Sequence, residues 1–362
     1  MVVTKIDPGQ LYIVTELDPA TNASTGYYKI GIVRNDRETA DRIKKFQTGN
    51  PNRVVPFKVF ETEAPMFIEN MLHAEFAANQ VGVEWFKLDS ATLKKVVDRA
   101  AALKKEYDPK FKTLYQKYWA TPPNGLLVLS GSDLTKAEKI RDEAYKLCLA
   151  KEKADFLRKT AEHQLKAISS NHEFGIVGVT DVKITPDKNE FNFSEWKKVA
   201  TPAQLKKCEK PRKVADDFTL LFTQTGGSHA TAGHWKGIFS KEATDEATAK
   251  SSVPNLTTGL LKPTSLSRSS TIETLHEEYC NRDAEVSLLK KKIQAKEILL
   301  MLMCVDHEGI QGICSWNRSP QDPEINESLM KKHFHADLVN PKFFKASKAK
   351  VSVSVHNFRP YL

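Results

Sequence analysis

Glu69 and His73 stand four residues apart, a spacing that sets a carboxylate and an imidazole on one face of a helix. A single carboxylate of this kind can hold one Mg²⁺ (or Mn²⁺), an ion that keeps several waters and completes its shell with phosphate oxygens. Upstream, Arg42 offers a planar, charged fork matched to a phosphate. Tyr12 carries a hydroxyl whose ordinary pKa is about 10, so it needs nearby positive charge to ionise at neutral pH. Lys29 can supply that charge. Strand alternation puts Lys29 and Gly31 on one face and Tyr28 and Ile30 on the other. Such groups suit attack of an activated water on a phosphate ester: a cation and a guanidinium on the phosphate, and side chains nearby to move the proton.

Two weaker constellations lie downstream. Cys304, His307, Cys314, His333 and His335 include the residue types of a zinc site, although their spacing fits no tight finger or ribbon; the alternative is a buried thiol with surface histidines. The stretch from Lys331 interleaves Lys331, Lys332, Lys342 and Lys345 with Phe334, Phe343, Phe344 and Phe358. Cations that neutralise phosphates beside rings that stack on bases suit nucleic-acid binding. The other reading of that stretch is a C-terminal strand, with Val351, Val353 and Val355 alternating behind a solvated lysine edge.

The elements that must position these residues are legible in outline. Leu11–Val14 and Tyr27–Val33 are β-rich runs around a Pro/Asn/Gly-containing loop, the pattern of a hairpin. A helix over 36–46 ends at Thr48-Gly49-Asn50-Pro51, and a third strand covers 53–62. Phe67, Met71, Ala74 and Ala78 recur at helical spacing over 64–80. A short strand follows at 84–88, in which Trp85 and Phe86 read as core anchors and Glu84 as a partner for a basic residue of the sheet. Ser90 then caps a helix to about Tyr107. Residues 132–168 form one long helix, with an apolar stripe from Leu134 to Ile168. A capping box at Ser270–Glu273 opens a second, striped from Ile272 to Leu300, which can pair with the first helix or with a second chain.

The chain has 362 residues, 40% hydrophobic and 27% charged, which excludes wholesale disorder. No apolar run approaches the ~20 residues needed to cross a bilayer, and the first residues lack the pattern of a secretory signal. Five cysteines at wide spacing argue for a reducing compartment, so a cytoplasmic (or, in a eukaryote, nuclear) location is expected. The net charge of +9 tilts the chain toward a polyanionic partner.

Five short motifs in order give the first 90 residues a resemblance to the GIY-YIG nuclease superfamily. They are Leu11-Tyr12-Ile13; Tyr28-Lys29-Ile30-Gly31; Arg42 with the run Ile43 to Pro51; Glu69 with Met71-Leu72-His73 and Phe76; and Glu84-Trp85-Phe86. The chain looks most like the branch, found in phages and in fungal meiotic genes, whose second motif reads Tyr-Lys-Ile-Gly. It departs from the pattern in having Leu11 at the first glycine, a longer step from Gly31 to Arg42, Gln80 at a position often basic, and Val83 where a glycine usually precedes Glu84. The resemblance implies an α/β (α+β) domain with a small three-stranded antiparallel sheet flanked by helices, here followed by a long helix and a mixed α/β C-terminal region. It also implies a DNA endonuclease working through a single Mg²⁺ on Glu69. The catalytic residues would be Tyr12, Lys29, Arg42, Glu69 and His73; Lys44 and Lys45 and, from the charge pattern of the tail alone, Lys331, Lys332, Lys342 and Lys345 are the expected substrate-binding residues.

The expected organisation is a nuclease-like domain over 1–118, a helical stalk over 119–170, a mixed α/β segment over 171–222, a flexible Ser/Thr/Gly-rich linker over 223–269 and a DNA-binding or dimerisation region over 270–362. The expected partner is nucleic acid, DNA first, with no membrane, and the 272–300 helix is the candidate contact for a homodimer. Two alternatives stay open. One is a non-catalytic nucleic-acid-binding or assembly protein that keeps the fold, and the other is a nuclease of RNA or single-stranded DNA.

Overall fold

The structure, a computed structural model, describes residues 5–34, 39–47, 50–82, 84–120, 123–185, 188–209, 216–254, 261–318, 324–347 and 350–357. The first glycine of the hairpin strand opens β1 (Gly9–Leu17), which turns back as β2 (Ser24–Arg34). Asp18 shapes the turn, its carboxylate accepting the backbone N–H groups of Ala20 and Thr21, both at 2.9 Å. Helix α1 (Thr39–Gln47) leads to β3 (Arg53–Thr62), which pairs with the free edge of β1. Helix α2 (Pro65–Glu75) starts on a proline, which has no N–H to lose in the first turn. Strand β4 (Trp85–Lys87) then pairs with β2. The sheet is therefore four-stranded and antiparallel, in the order β3-β1-β2-β4, one strand more than the resemblance implies.

The two faces of this sheet are built from alternate residues. Leu11, Ile13, Tyr28 and Ile30 join Phe67, Ile68 and Leu72 of α2 in the main core. Tyr12, Val14, Val33 and Val54 face the other way, against Ile43 and Phe46 of α1. Gln47 fastens α1 to β3, its amide donating to the carbonyls of Asn50 and Asn52 and accepting the N–H of Val54. At the start of α1, the Gln10 amide oxygen accepts both the N–H and the hydroxyl of Thr39. The loop segment 35–38, the Thr48-Gly49 stop, Val83 and Phe358 lie outside the described residues.

Helix α3 (Ser90–Ala120) runs past Tyr107, where the sequence pattern ends it, and carries Pro109 within its length. The adjacent Asp108 binds the Thr62 hydroxyl and the Glu63 N–H, which holds the middle of α3 against the end of β3. Helix α4 (Gly131–Ser169) follows, as the stripe predicts. Beyond it come β5 (Thr180–Thr185), β6 (Lys188–Phe191), α5 (Phe193–Val199), α6 (Pro202–Lys207) and β7 (Asp217–Leu220).

Residues 223–269, expected as a flexible linker, instead contain α7 (Ala232–Ile238) and α8 (Ser240–Ser251). Trp235 is buried in the main core, and the small residues of α8 let it lie close along α4, with His163 3.6 Å from Glu246.

Helix α9 (Ser270–Cys304) packs along α4. Arg158 of α4 meets Asp283 at 3.8 Å and Glu143 meets Lys296, so residue numbers rise on one helix as they fall on the other, and the pair is antiparallel. The residues that made α9 a candidate dimer contact, among them Tyr279, Val286, Leu289 and Ile293, are buried within the chain. Its second half joins the same core as the N-terminal sheet.

The chain closes with β8 (Gly309–Ile310), β9 (Cys314–Asn317), α10 (Glu327–His333), β10 (Phe344–Ser347) and β11 (Lys350–Val355). Strands β7, β9 and β8 form one small sheet, while β10 pairs with β6 and β11 with β5. No helix among the described residues is long and apolar enough to cross a membrane.

Candidate functional site

The site begins with one close approach in the hairpin. Tyr12 stands opposite Gly31 across β1 and β2. A Cβ on Gly31 would meet the Tyr12 hydroxyl at 2.4 Å, so only glycine leaves room for the ring. The ring is 1% exposed and lies tilted against Phe46, centroids 6.1 Å apart. This places the hydroxyl on the α1 side of the sheet, where Arg42 hydrogen-bonds to it. Burial, helped by the negative charge of Glu84, pushes the Tyr12 hydroxyl up to about 12 against the pull of Arg42. Tyr12 is therefore a neutral hydroxyl at physiological pH.

Lys29 is on the same face, as the alternation requires. Its ammonium lies 4.7 Å from the Phe46 ring centroid and 6.0 Å from that of Trp85. The expectation that Lys29 would ionise Tyr12 is corrected by its partner: its ammonium is bound to the Glu84 carboxylate. Burial alone would raise the Glu84 carboxyl, but the Lys29 hydrogen bond and charge outweigh it and hold it below the usual range. Arg42 packs its guanidinium 5.4 Å from the Phe46 centroid. Its Nε is buried and has no hydrogen-bond partner among the described residues. An unpaired buried donor costs free energy unless something arrives to accept from it.

Glu69 and His73 come from α2. Glu69 is 7% exposed, and its Oε1 lies 3.2 Å from the ammonium of Lys291, a residue of α9. Burial raises the Glu69 carboxyl above its ordinary value, while Lys291 opposes that rise. Asn70 adds a second polar link from α2 to α9, its amide 3.4 Å from Gln294.

His73 is 1% exposed, edge-on to Phe86, with Nε2 3.0 Å from the carbonyl of Ile30 and 4.0 Å from Glu69. Burial, with the nearby charge of Lys291, drives its pKa down to about 3. The ring is thus neutral, and Nε2–H donates to Ile30. The proton-transfer part expected of His73 gives way to a fixed hydrogen bond that ties α2 to β2 beside Glu69.

The lysines expected to bind substrate fall in two places. Lys44 and Lys45 are exposed on α1, Lys44 lying 3.7 Å from Asp41. Lys331, Lys332, Lys342 and Lys345 belong to the C-terminal unit, where Lys331 pairs with Glu327 at 2.7 Å and Lys345 stands opposite Glu190. Two of the rings among them are packing residues: Phe343 is buried and Phe334 lies 5.7 Å from Trp196, so these two are not available for stacking on bases.

The zinc constellation is not assembled. Cys304 and Cys314 put their sulfurs 3.8 Å apart in the main core, whereas His333 and His335 sit at α10 and just after it. Among the described residues no group of three or more His, Cys, Asp or Glu is placed to share a metal ion. A metal on Glu69 would therefore take one protein carboxylate, with water and substrate oxygens making up the rest, a set that suits Mg²⁺.

Sequence reasoning missed Lys291. It stands in the run Lys290-Lys291-Lys292, which reads as a solvated helix face, and only the packing of α9 on α2 singles it out.

Residues 9–101 match the family profile of the T5orf172 domain, a phage-associated domain of the GIY-YIG-like nuclease group. The matched segment contains Tyr12, Lys29, Arg42, Glu69, His73 and Glu84, and it ends before Lys291. Comparison with curated proteins and with solved structures gave no match.

Proposed function

We propose that this protein is a metal-dependent endonuclease that hydrolyses phosphodiester bonds in DNA at the Tyr12–Arg42–Glu69 site. The observation that carries the reading is Arg42: its buried Nε donor has no acceptor among the described residues, and it stands beside a buried hydroxyl in the domain matched to a nuclease-like family. A phosphate oxygen is the acceptor that this donor lacks. Arg42 would thus hold the scissile phosphate and stabilise the charge that grows on it. Tyr12, kept neutral by burial, would relay a proton, accepting that of the attacking water as it releases its own to a non-bridging oxygen of the phosphate. Glu69 would hold the Mg²⁺ (or Mn²⁺), which when bound supplies a Lewis acid at the phosphate and a more acidic water. Lys29 keeps the neighbouring Glu84 neutralised, and His73 fixes α2 to β2 so that Glu69 keeps its place. Lys44 and Lys45, exposed in the last turn of α1, would meet the flanking backbone.

One observation favours a second reading. Lys291 already neutralises Glu69, which suits a fold kept for binding nucleic acid without cutting it. Labelled duplex DNA, single-stranded DNA and RNA, each with Mg²⁺ or EDTA, separate the readings when the wild type is compared with Arg42→Ala. Metal-dependent cutting of duplex DNA that falls by about 10² or more in R42A supports the nuclease. Cutting confined to RNA or single strands would move the substrate class. Binding by both proteins with no cutting in any arm would establish the second reading.

A further inference from the structure

We infer that Lys291 is a tethered cation seated in the metal-binding place of Glu69, so that a divalent ion binds there only by displacing it. The inference rests on the reading of Glu69 as the metal ligand, and it adds a residue from outside the matched domain to the working of the site.

Three observations carry it. The Lys291 ammonium lies 3.2 Å from Glu69 Oε1, a distance at which no second cation shares that oxygen without strong repulsion. The pair is largely desolvated, with side chains 16% and 9% exposed. A buried ion pair is often no more stabilising than apolar residues of the same volume, so fold stability alone is a weak reason for this one. Around the pair, Arg34 acts on Glu69 as a further positive charge, while Glu84 acts with the opposite sign and is itself paired with Lys29. Adding a dication to this balance requires removing a cation, and Lys291 is the one in contact with the ligand oxygen.

The exchange is also feasible mechanically. Lysine carries its charge on a flexible four-carbon stem, so the ammonium can withdraw from Glu69 while the α9 backbone stays packed on α2. Loading of the site would then be graded by the metal concentration, and the empty carboxylate would never stand unpaired inside the protein.

The test is a Mn²⁺ titration of the full chain followed by electron paramagnetic resonance, with no nuclease substrate present. The proteins are wild type, Lys291→Gln, Lys291→Arg and Glu69→Gln, together with the K291Q/E69Q double variant. The expected result is binding at least about tenfold tighter in K291Q, wild-type affinity in K291R, which keeps the charge, and loss of that site in both proteins carrying E69Q. Equal affinity in wild type and K291Q, abolished by E69Q in both backgrounds, would keep the metal on Glu69 and overturn the competition. Absence of any Glu69-dependent site, K291Q included, would overturn the metal reading and this inference with it. If K291Q does not fold, ¹³C-methylated wild-type protein answers the same question. The Lys291 signal, assigned by its loss in K291R, should move on Mg²⁺ titration and stay fixed in E69Q; a signal unmoved while Mg²⁺ binds at Glu69 would overturn the inference.

Discussion

Replacing Gly31 by alanine tests the contact on which the reactive face is built. The added Cβ would lie 2.4 Å from the Tyr12 hydroxyl oxygen, 2.6 Å from Cζ and 3.0 Å from Cε2. The ring cannot simply retreat, because Phe46 packs beside it and the residue is 1% exposed. Overpacking of this kind costs about 1–3 kcal/mol. Tyr12→Ala alone should cost about 3–5 kcal/mol, as for other large buried aromatics. In that background the Gly31→Ala clash has no partner, and the lower chain entropy of alanine should make the change neutral or stabilising by about 0.5 kcal/mol. The double-mutant cycle should therefore show a coupling of about 1–3.5 kcal/mol between the two positions. Urea denaturation followed by circular dichroism measures it, read from shifts in midpoint at constant slope. A cost for G31A below about 0.5 kcal/mol, or the same cost with and without Tyr12, would refute the argument.

Two further outcomes follow from other parts of the molecule. Burial alone would raise the Asp155 carboxyl, but hydrogen bonds from Lys159 and Arg158 hold it below its ordinary 3.8. A carboxyl depressed in the folded state contributes fully above its unfolded pKa and loses that contribution as pH falls through the folded value. Asp155→Asn should thus lower the melting temperature at pH 6 and have a smaller effect below pH 3 (about one pH unit under the ordinary value); an equal shift at both pH values would contradict the pairing. In the C-terminal unit, Trp196 is 1% exposed, donates its indole N–H to Asp337 at 2.8 Å and packs with Met330 and Phe343. Trp196→Ala should cost that unit about 3–5 kcal/mol and open it to limited proteolysis, while the hairpin and α1 stay protected. Uniform digestion of the whole chain would show that the two regions unfold together.

Much of the site's frame was legible because local rules decide it. Alternation placed Lys29 and Gly31 on the face of Tyr12, and the helical spacing of Glu69 and His73 held on α2. The hairpin was readable from β-rich runs around a turn that Asp18 closes. What stayed hidden depends on tertiary contacts. The length of α3 is one case, since Pro109 reads as a stop until Asp108 is seen bound to Thr62 and Glu63. The region 223–269 is another: its Ser, Thr and Ala content resembles a linker, yet those small residues are what let α8 lie against α4. The pairing of the charges was legible only in part. Glu84 reads as a partner for a basic residue of the sheet, and that residue is Lys29, whereas nothing local selects Lys291 from its lysine run to meet Glu69.

The central claim is that Glu69 binds the metal used in phosphodiester hydrolysis. Its most direct test is nicking of supercoiled plasmid by wild type and by Glu69→Gln, a change that keeps the volume of the side chain and removes its charge, each with Mg²⁺ or with EDTA. The account predicts nicking by wild type in Mg²⁺ alone, with E69Q reduced by about 10² or more. Nicking by E69Q at the wild-type rate, or by wild type in EDTA, would contradict it.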